Sequence, residues 1–146
     1  MIKNIVYRQA DSVDEKEIRK MMGEFRSDKS LFDINKFIVA KINNKLVGCV
    51  RIKELTNDCF ELASLAVDNE YRHQGIGGKL IEILLLKESV RPIYLLTSKD
   101  KELFYNKFHF VIIEPEKLVV DFKVEYDRII SMPFAKAMKV IAMVLI

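Results

Sequence analysis

The sequence predicts a mixed α/β fold in which a mostly antiparallel central sheet is flanked by helices. Three observations predict it. Residues 37–67 read as three consecutive strands joined by tight turns, an antiparallel meander. Helical periodicity brackets the meander, with apolar residues at i, i+3, i+4 and i+7 before it and an apolar helical run after it. Short strand and helix patterns then alternate to the C-terminus.

Taken in order, Ile2–Arg8 alternates loosely and reads as a strand. Ser12–Phe25 reads as a helix. Ser12 and Glu15 match a capping box, and Ile18, Met21, Met22 and Phe25 share one face. Arg26–Lys36 is polar, with Leu31, Phe32 and Ile34 embedded, and reads as a loop or short helix. The meander comprises Phe37–Ile42, a turn at Asn43 and Asn44, Lys45–Lys53, a turn at Thr56-Asn57-Asp58, and Cys59–Val67. Leu80, Ile81, Leu84 and Leu85 line a helix that ends near Glu88, and Arg91-Pro92 breaks it. Ile93–Thr97 is a short buried strand. Ser98 or Asp100 caps a helix to about Lys107, and Phe108–Glu114 is a further strand. Pro115–Pro133 reads as charged and irregular, with a strand at Leu118–Phe122, before a last strand at Val140–Ile146.

A chain of 146 residues, half hydrophobic and 31% charged, is expected to form one soluble globular domain. Its net charge of +3 is spread along the chain, so no nucleic-acid-binding stripe is expected, though a small polyanion would suit it. The start, MIKNIVYRQA, lacks the apolar core of a signal peptide. The tail FAKAMKVIAMVLI carries two lysines and falls short of the roughly 20 apolar residues a membrane span needs. If the last two meander strands pair so that residue numbers sum to about 112, Cys59 faces Lys53 and Cys49 faces Ala63. The thiols then do not bridge, which fits a cytoplasmic protein. Two distant histidines supply too few ligands for a metal.

Three of the chain's five glycines fall in YRHQGIGGKL, residues 71–80. This stretch follows a strand and opens a helix, where backbone N–H groups and the helix dipole suit a phosphate. Gly75, Gly77 and Gly78 let the backbone approach an anion closely and visit positive φ. Arg72, His73 and Lys79 add donors or charge. The dinucleotide-binding pattern fails at Leu80 and in the antiparallel strands before the loop. The Walker pattern fails at His73 and Leu80. What remains is a basic residue or Gln, two residues, Gly, any residue, Gly: Arg72-His73-Gln74-Gly75-Ile76-Gly77.

The run ELASLAVDNEYRHQGIGGKLI resembles the coenzyme A-binding core of the GNAT acyltransferase family, and LFYNKFHF resembles that family's later segment. The order of elements fits over nearly the whole chain. The resemblance implies the GNAT fold, acetyl-coenzyme A as co-substrate, no metal, and acetyl transfer to a primary amine by direct attack in a ternary complex. It implies that Leu65, Ala66 and Val67 lie along the pantetheine arm, pairing with its amides as an added strand would. The N–H of Ala66 or Val67 would hold the thioester carbonyl as it becomes an oxyanion.

An alkyl amine with a pKa of about 10.4 is roughly one part in a thousand free base at neutral pH, a deficit of about 4–5 kcal/mol. Glu61 is the leading candidate base. Counting by two from it passes Ala63 and Leu65, so it shares their face unless a bulge intervenes. A water chain is the other route. Tyr105 resembles the family tyrosine that meets the leaving thiolate. A phenol near 10, above a thiol's 8.5 or so, suits donation to that thiolate as it forms. Asn106 follows it, with cofactor bonding and helix capping both open. His73 reads as a loop donor or a solvated residue.

ELASLAV and the final AMVLI resemble small bacterial amino-acid acetyltransferases, so a small amine or amino acid is the expected acceptor. Arg26 or Arg51 would clamp an acceptor carboxylate, the alternative for each being a solvated surface arginine. A protein or peptide acetyltransferase and a non-catalytic acyl-CoA sensor are the alternatives. Glu61 and Tyr105 together favour an enzyme. A homodimer is left open.

Overall fold

The computed structural model describes residues 4–25, 27–56 and 58–146. They form two compact units interleaved in sequence, one from the N-terminus to Lys53 with Leu62–Ser89, the other Glu54–Glu61 with Val90–Ile146.

In the first unit, strand β1 (Ile5–Gln9) pairs antiparallel with β2 (Phe37–Ile42), Ile5 opposite Ile42 and Gln9 opposite Ile38. Strand β2 pairs antiparallel with β3 (Lys45–Thr56), with a register shift between Ala40 and Lys41. Strand β4 (Cys59–Val67) lies next to β3. The meander is as expected, except that β3 runs three residues beyond Lys53. Asn43, Asn44 and Asp58 sit at positive φ in its turns, a conformation that Asn and Asp tolerate. Helix α1 (Glu15–Glu24) buries Ile18, Met21 and Met22 against Phe37, Val39 and Cys49. Its entry differs from the Ser12–Glu15 box. Asp11 is the cap and accepts from Val13 N–H at 3.1 Å. Asp14 returns the bond, accepting from Asp11 N–H at 2.9 Å, around a 3-10 turn at Ser12–Asp14. A carboxylate serves both positions of the reciprocal cap. Helix α2 (Ile76–Lys87) buries Ile76, Leu80, Ile81 and Leu84. A Cβ on Gly48 would stand 3.0 Å from Leu80 Cδ1 and 3.2 Å from the Ala66 carbonyl oxygen, so a glycine in β3 lets this helix sit close to the strands.

In the second unit, strand β5 (Ile93–Ser98) pairs parallel with the start of β4, Phe60 opposite Ile93 and Glu61 opposite Tyr94. Helix α3 is short (Glu102–Asn106), and strand β6 is only Val111–Ile112. The 115–133 region is corrected. It holds no strand. It forms helix α4 (Val120–Ile130), followed by α5 (Pro133–Met138). Apolar residues at 118, 120, 122, 124 and 126 mimic strand alternation. The helical spacing governs instead: Phe122 and Glu125 are buried and Tyr126 packs on the core, while Val120 and Val124 are exposed. Tyr94 stacks on Phe122 at 4.7 Å, and Thr56 donates to Asp121 at 2.8 Å, fixing α4. The C-terminal strand β7 (Val140–Leu145) is inserted between β5 and β6, antiparallel to both, with Ala142–Leu145 buried. Ala142–Leu145 of the apolar tail are therefore core, while Phe134, Met138 and Ile146 are exposed.

Both cysteines are free and buried. Burial pushes the Cys49 thiol up to about 12. Burial, then Asp121, Glu61 and Glu125, push Cys59 up to about 11. Both stay protonated and inert at neutral pH. Among the described residues, no helix is long and apolar enough to cross a membrane.

Candidate functional site

The loop is built from its flanks inward. Asp68 closes β4 by accepting from Glu70 N–H at 3.0 Å, which starts a 3-10 turn at Asn69–Tyr71. Arg72 is extended, His73 is left-handed at φ 62°, and Gly75 is left-handed at φ 83°. Two left-handed residues turn the chain sharply into α2. The bond that opens the helical ladder runs from Lys79 N–H to Gly75 C=O at 3.0 Å. The N–H groups of Ile76, Gly77 and Gly78 thus precede the ladder, and no side chain caps them. An end without a side-chain cap, at the positive pole of a 12-residue helix, is chemically an anion cradle.

Gly75 is the only described glycine at positive φ, and a Cβ there would touch nothing within 4 Å. Its requirement is conformational. Gly77 and Gly78 lie inside the helix and add no side chains to its first turn. Arg72, His73, Gln74 and Lys79 are exposed. The Arg72 guanidinium stands 5.7 Å from the Phe25 ring, and Lys79 pairs with Glu82 at 3.4 Å on the surface. Ile76 is 1% exposed, so its side chain anchors the helix and only its N–H faces the loop.

Before the loop, Ala66 is buried in the α1 core, and Leu65 and Val67 are half-buried. Ser64 is left-handed at φ 59° within the extended strand. That break interrupts the alternation, so the count by two from Glu61 does not carry to Leu65.

Arg51 is corrected. It is neither a solvated surface residue nor an open clamp, being 1% exposed. Its guanidinium donates to the carbonyls of Asp28 (2.6 Å), Ser30 (3.0 Å) and Leu31 (3.2 Å), and its Nε donates to Ser64 Oγ (2.9 Å). Lys53, 2% exposed, pairs with Asp28 at 2.9 Å. Nothing in the sequence marked these two cations as interior. Their alternation with Val50 and Ile52 looks like a half-exposed strand. Arg26 lies outside the described residues.

In the second unit, Glu61 is 6% exposed on β4, opposite Tyr94. Tyr105 is buried in α3. Its ring meets Phe104 edge-on at 5.0 Å and Phe110 at 6.1 Å, and Phe108 packs on Phe104. Burial pushes the Tyr105 phenol up to about 12. The Tyr105 carbonyl accepts from Phe108 N–H at 3.0 Å, and Asn106 Nδ2 donates to the Phe110 carbonyl at 2.9 Å. Asn106 thus closes the turn after α3. His109, left-handed at φ 71°, belongs to that turn and not to a strand. Among the described residues, no group of three or more His, Cys, Asp or Glu side chains could hold a metal ion.

The acetyltransferase (GNAT) domain family matches residues 33–112. An uncharacterized N-acetyltransferase of Chlorobaculum tepidum is 34% identical over 86 residues, 57% of this chain and 54% of that protein. The amino-acid acetyltransferase of Pseudomonas fluorescens is 29% identical over 76 residues, 49% of this chain and 18% of that enzyme. The match therefore spans about half of the first relative and under a fifth of the second. N-acetylglutamate synthase from Neisseria gonorrhoeae, complexed with coenzyme A and N-acetyl-glutamate, superposes with a TM-score of 0.74 at 18% identity, over 99% of this chain and 35% of that one. A Mycobacterium tuberculosis protein solved with CoA superposes with a TM-score of 0.73 at 20% identity, over 97% and 98% of the two chains. At such identities the likeness is one of fold.

Proposed function

The chain belongs to the GNAT acetyltransferase family, and from that premise we propose that it transfers the acetyl group of acetyl-coenzyme A to the primary amine of a small molecule or amino acid, by direct attack in a ternary complex. The observation that carries this is the start of α2, open and without a side-chain cap, set behind two left-handed residues. It suits the coenzyme's pyrophosphate, with Arg72 and Lys79 supplying charge around it. The arm's place is along Leu65–Val67, where backbone groups meet its amides.

Glu61 is assigned the amine's proton. A buried carboxylate on a rigid strand can be held in one orientation, which proton abstraction requires. Tyr105 is assigned to the leaving sulfur, with its role refined by burial. A phenol pushed to about 12 stays neutral at all working pH values. Tyr105 is thereby kept protonated, and it is assigned to give a hydrogen bond, and with it its proton, to the leaving thiolate, whose own pKa rises in the same desolvated site.

With Arg51 spent on backbone carbonyls, an amino-acid acceptor's carboxylate needs another partner. The amino-acid class is favoured here by the Pseudomonas relative.

The direct test is Gly77→Asp. A carboxylate in the first turn of a helix favours the fold through the dipole, so the protein should stay folded. Placed beside a pyrophosphate, it should weaken acetyl-CoA at least about tenfold by calorimetry. Unchanged affinity in the folded variant would remove the loop assignment.

A further inference from the structure

The segment between α1 and β2 is held with unusual care. Three carbonyl acceptors within four residues, on Asp28, Ser30 and Leu31, turn onto one buried guanidinium, that of Arg51. The Asp28 side chain is also locked. Burial alone would raise its carboxyl, but bonds from Ser30 N–H, Lys53 and the Ser30 hydroxyl outweigh that and hold it well below the usual range. The same guanidinium reaches across to Ser64 Oγ, which also accepts from Ser27 Oγ at 3.0 Å. The segment is thereby fastened to one particular residue of β4, the left-handed Ser64.

Chain direction gives that residue a meaning, on the cofactor reading proposed above. Strand β4 runs into the phosphate loop, so an arm leading away from residues 72–78 passes Val67, then Ala66, then Leu65. Its acyl end arrives at Ser64. There it meets a wall of main chain whose carbonyls are pinned, which gives way less than a wall of side chains.

We infer that Arg51 is a positioning residue that fixes Ser27–Leu31 as a rigid wall at the acyl end of the coenzyme, and that this wall limits the length of the acyl chain. Lysine cannot substitute. A single ammonium lacks the planar fork that serves Ser64 and three carbonyls at once.

The test measures CoA, acetyl-CoA and butyryl-CoA binding by calorimetry, with folding checked by circular dichroism. The wild type should bind butyryl-CoA at least about tenfold more weakly than acetyl-CoA, the scale set by extra methylenes in a closed pocket. Arg51→Lys should shrink that gap to about threefold or less while CoA itself binds within about twofold of wild type. Ser27→Ala, a milder change at a half-buried position, should shrink the gap in the same direction. A merely structural role for Arg51 would lower the melting temperature and leave the acyl-chain ratio alone. Wild-type protein that binds acetyl- and butyryl-CoA equally, or folded variants that keep the full gap, overturn the inference alone. Wild-type protein that binds neither CoA nor acetyl-CoA overturns the cofactor reading and the inference with it.

Discussion

Replacing Tyr105 by Phe separates packing from chemistry. The ring contacts with Phe104 and Phe110 survive, so stability should change by less than about 1 kcal/mol. On the role proposed for Tyr105, what is lost is one hydrogen bond to a sulfur that becomes charged as the bond to the acetyl group breaks. Hydrogen bonds to charged groups contribute about 1.5–3 kcal/mol, so acetyl transfer should slow by about 10- to 100-fold, while acetyl-CoA affinity holds. The pH dependence identifies the mode of action. Burial raises the phenol to about 12, and raising an acid's pKa means its neutral form is favoured. The wild-type to mutant rate ratio should therefore be flat from pH 6 to about 10 and fall only above that. The assay is single-turnover release of CoA thiol with the best substrate from a panel of amines, since slow product release would hide the effect in steady state. A Tyr105→Phe protein with the wild-type single-turnover rate would remove Tyr105 from the mechanism. A ratio that collapses below pH 9 would contradict the burial argument.

Two further perturbations test other parts. Glu61→Gln should depress acetyl transfer most at neutral pH and least at high pH, where free amine is abundant, so the acidic limb of the rate profile moves toward the amine's own pKa; a parallel drop at every pH would instead assign Glu61 to substrate orientation. Asp14→Asn should cost about 3 kcal/mol in denaturant unfolding, the low end for breaking a buried ion pair, because the half-exposed Arg8 can rehydrate. Burial alone would raise the Asp14 carboxyl, but bonds from Arg8, Lys41 and Asp11 N–H hold it well below the usual range. A depressed pKa stabilises above the unfolded value and is lost as pH falls, so the gap between wild type and Asp14→Asn should persist above about pH 4 and shrink below it.

The sheet was legible where local chemistry decides. Asn43-Asn44 and Asp58 name turns because few other residues tolerate positive φ, and the spacing of Ile18, Met21 and Met22 permits only a helix. The loop was legible because its conformation needs glycine at 75, while Gly77 and Gly78 add no side chains to the start of α2. Other features depend on partners distant in sequence. Alternation at 118–126 is compatible with either periodicity, and partners distant in sequence, Tyr94 of β5 with Cys59, Ala142 and Val144, make Phe122 an inward residue. The left-handed Ser64 has no local signature, since serine is not a residue that asks for positive φ. Its conformation accompanies bonds from Arg51 and Ser27, one 13 and the other 37 residues away. The burial of Arg51 itself follows from a polar loop that could equally have been solvated.

These long-range pins have a common geometry. Helix α1 presents an apolar face, and apolar contact alone tolerates sliding. At its start, Asp14 takes a two-pronged bond from Arg8 of β1, at 2.7 and 2.9 Å, and another from Lys41 of β2 at 2.8 Å. Beyond its end, Asp28 and the neighbouring carbonyls take Lys53 and Arg51 of β3. The helix is thus tied near both ends to three different strands by charged groups, of which Asp14, Lys41, Arg51 and Lys53 are buried. Such groups are poor investments in stability, because well-packed apolar residues often serve as well. They do fix register. A loop that binds through main-chain N–H groups has no flexible side chains with which to correct an error of position. Its partners must be placed by the scaffold, and directional bonds place them more sharply than oil does. On this view the two networks differ in what they protect. Loosening the Asp14 end lowers stability and leaves acyl-chain preference intact, whereas loosening the Arg51 end changes preference first, because only that end reaches Ser64.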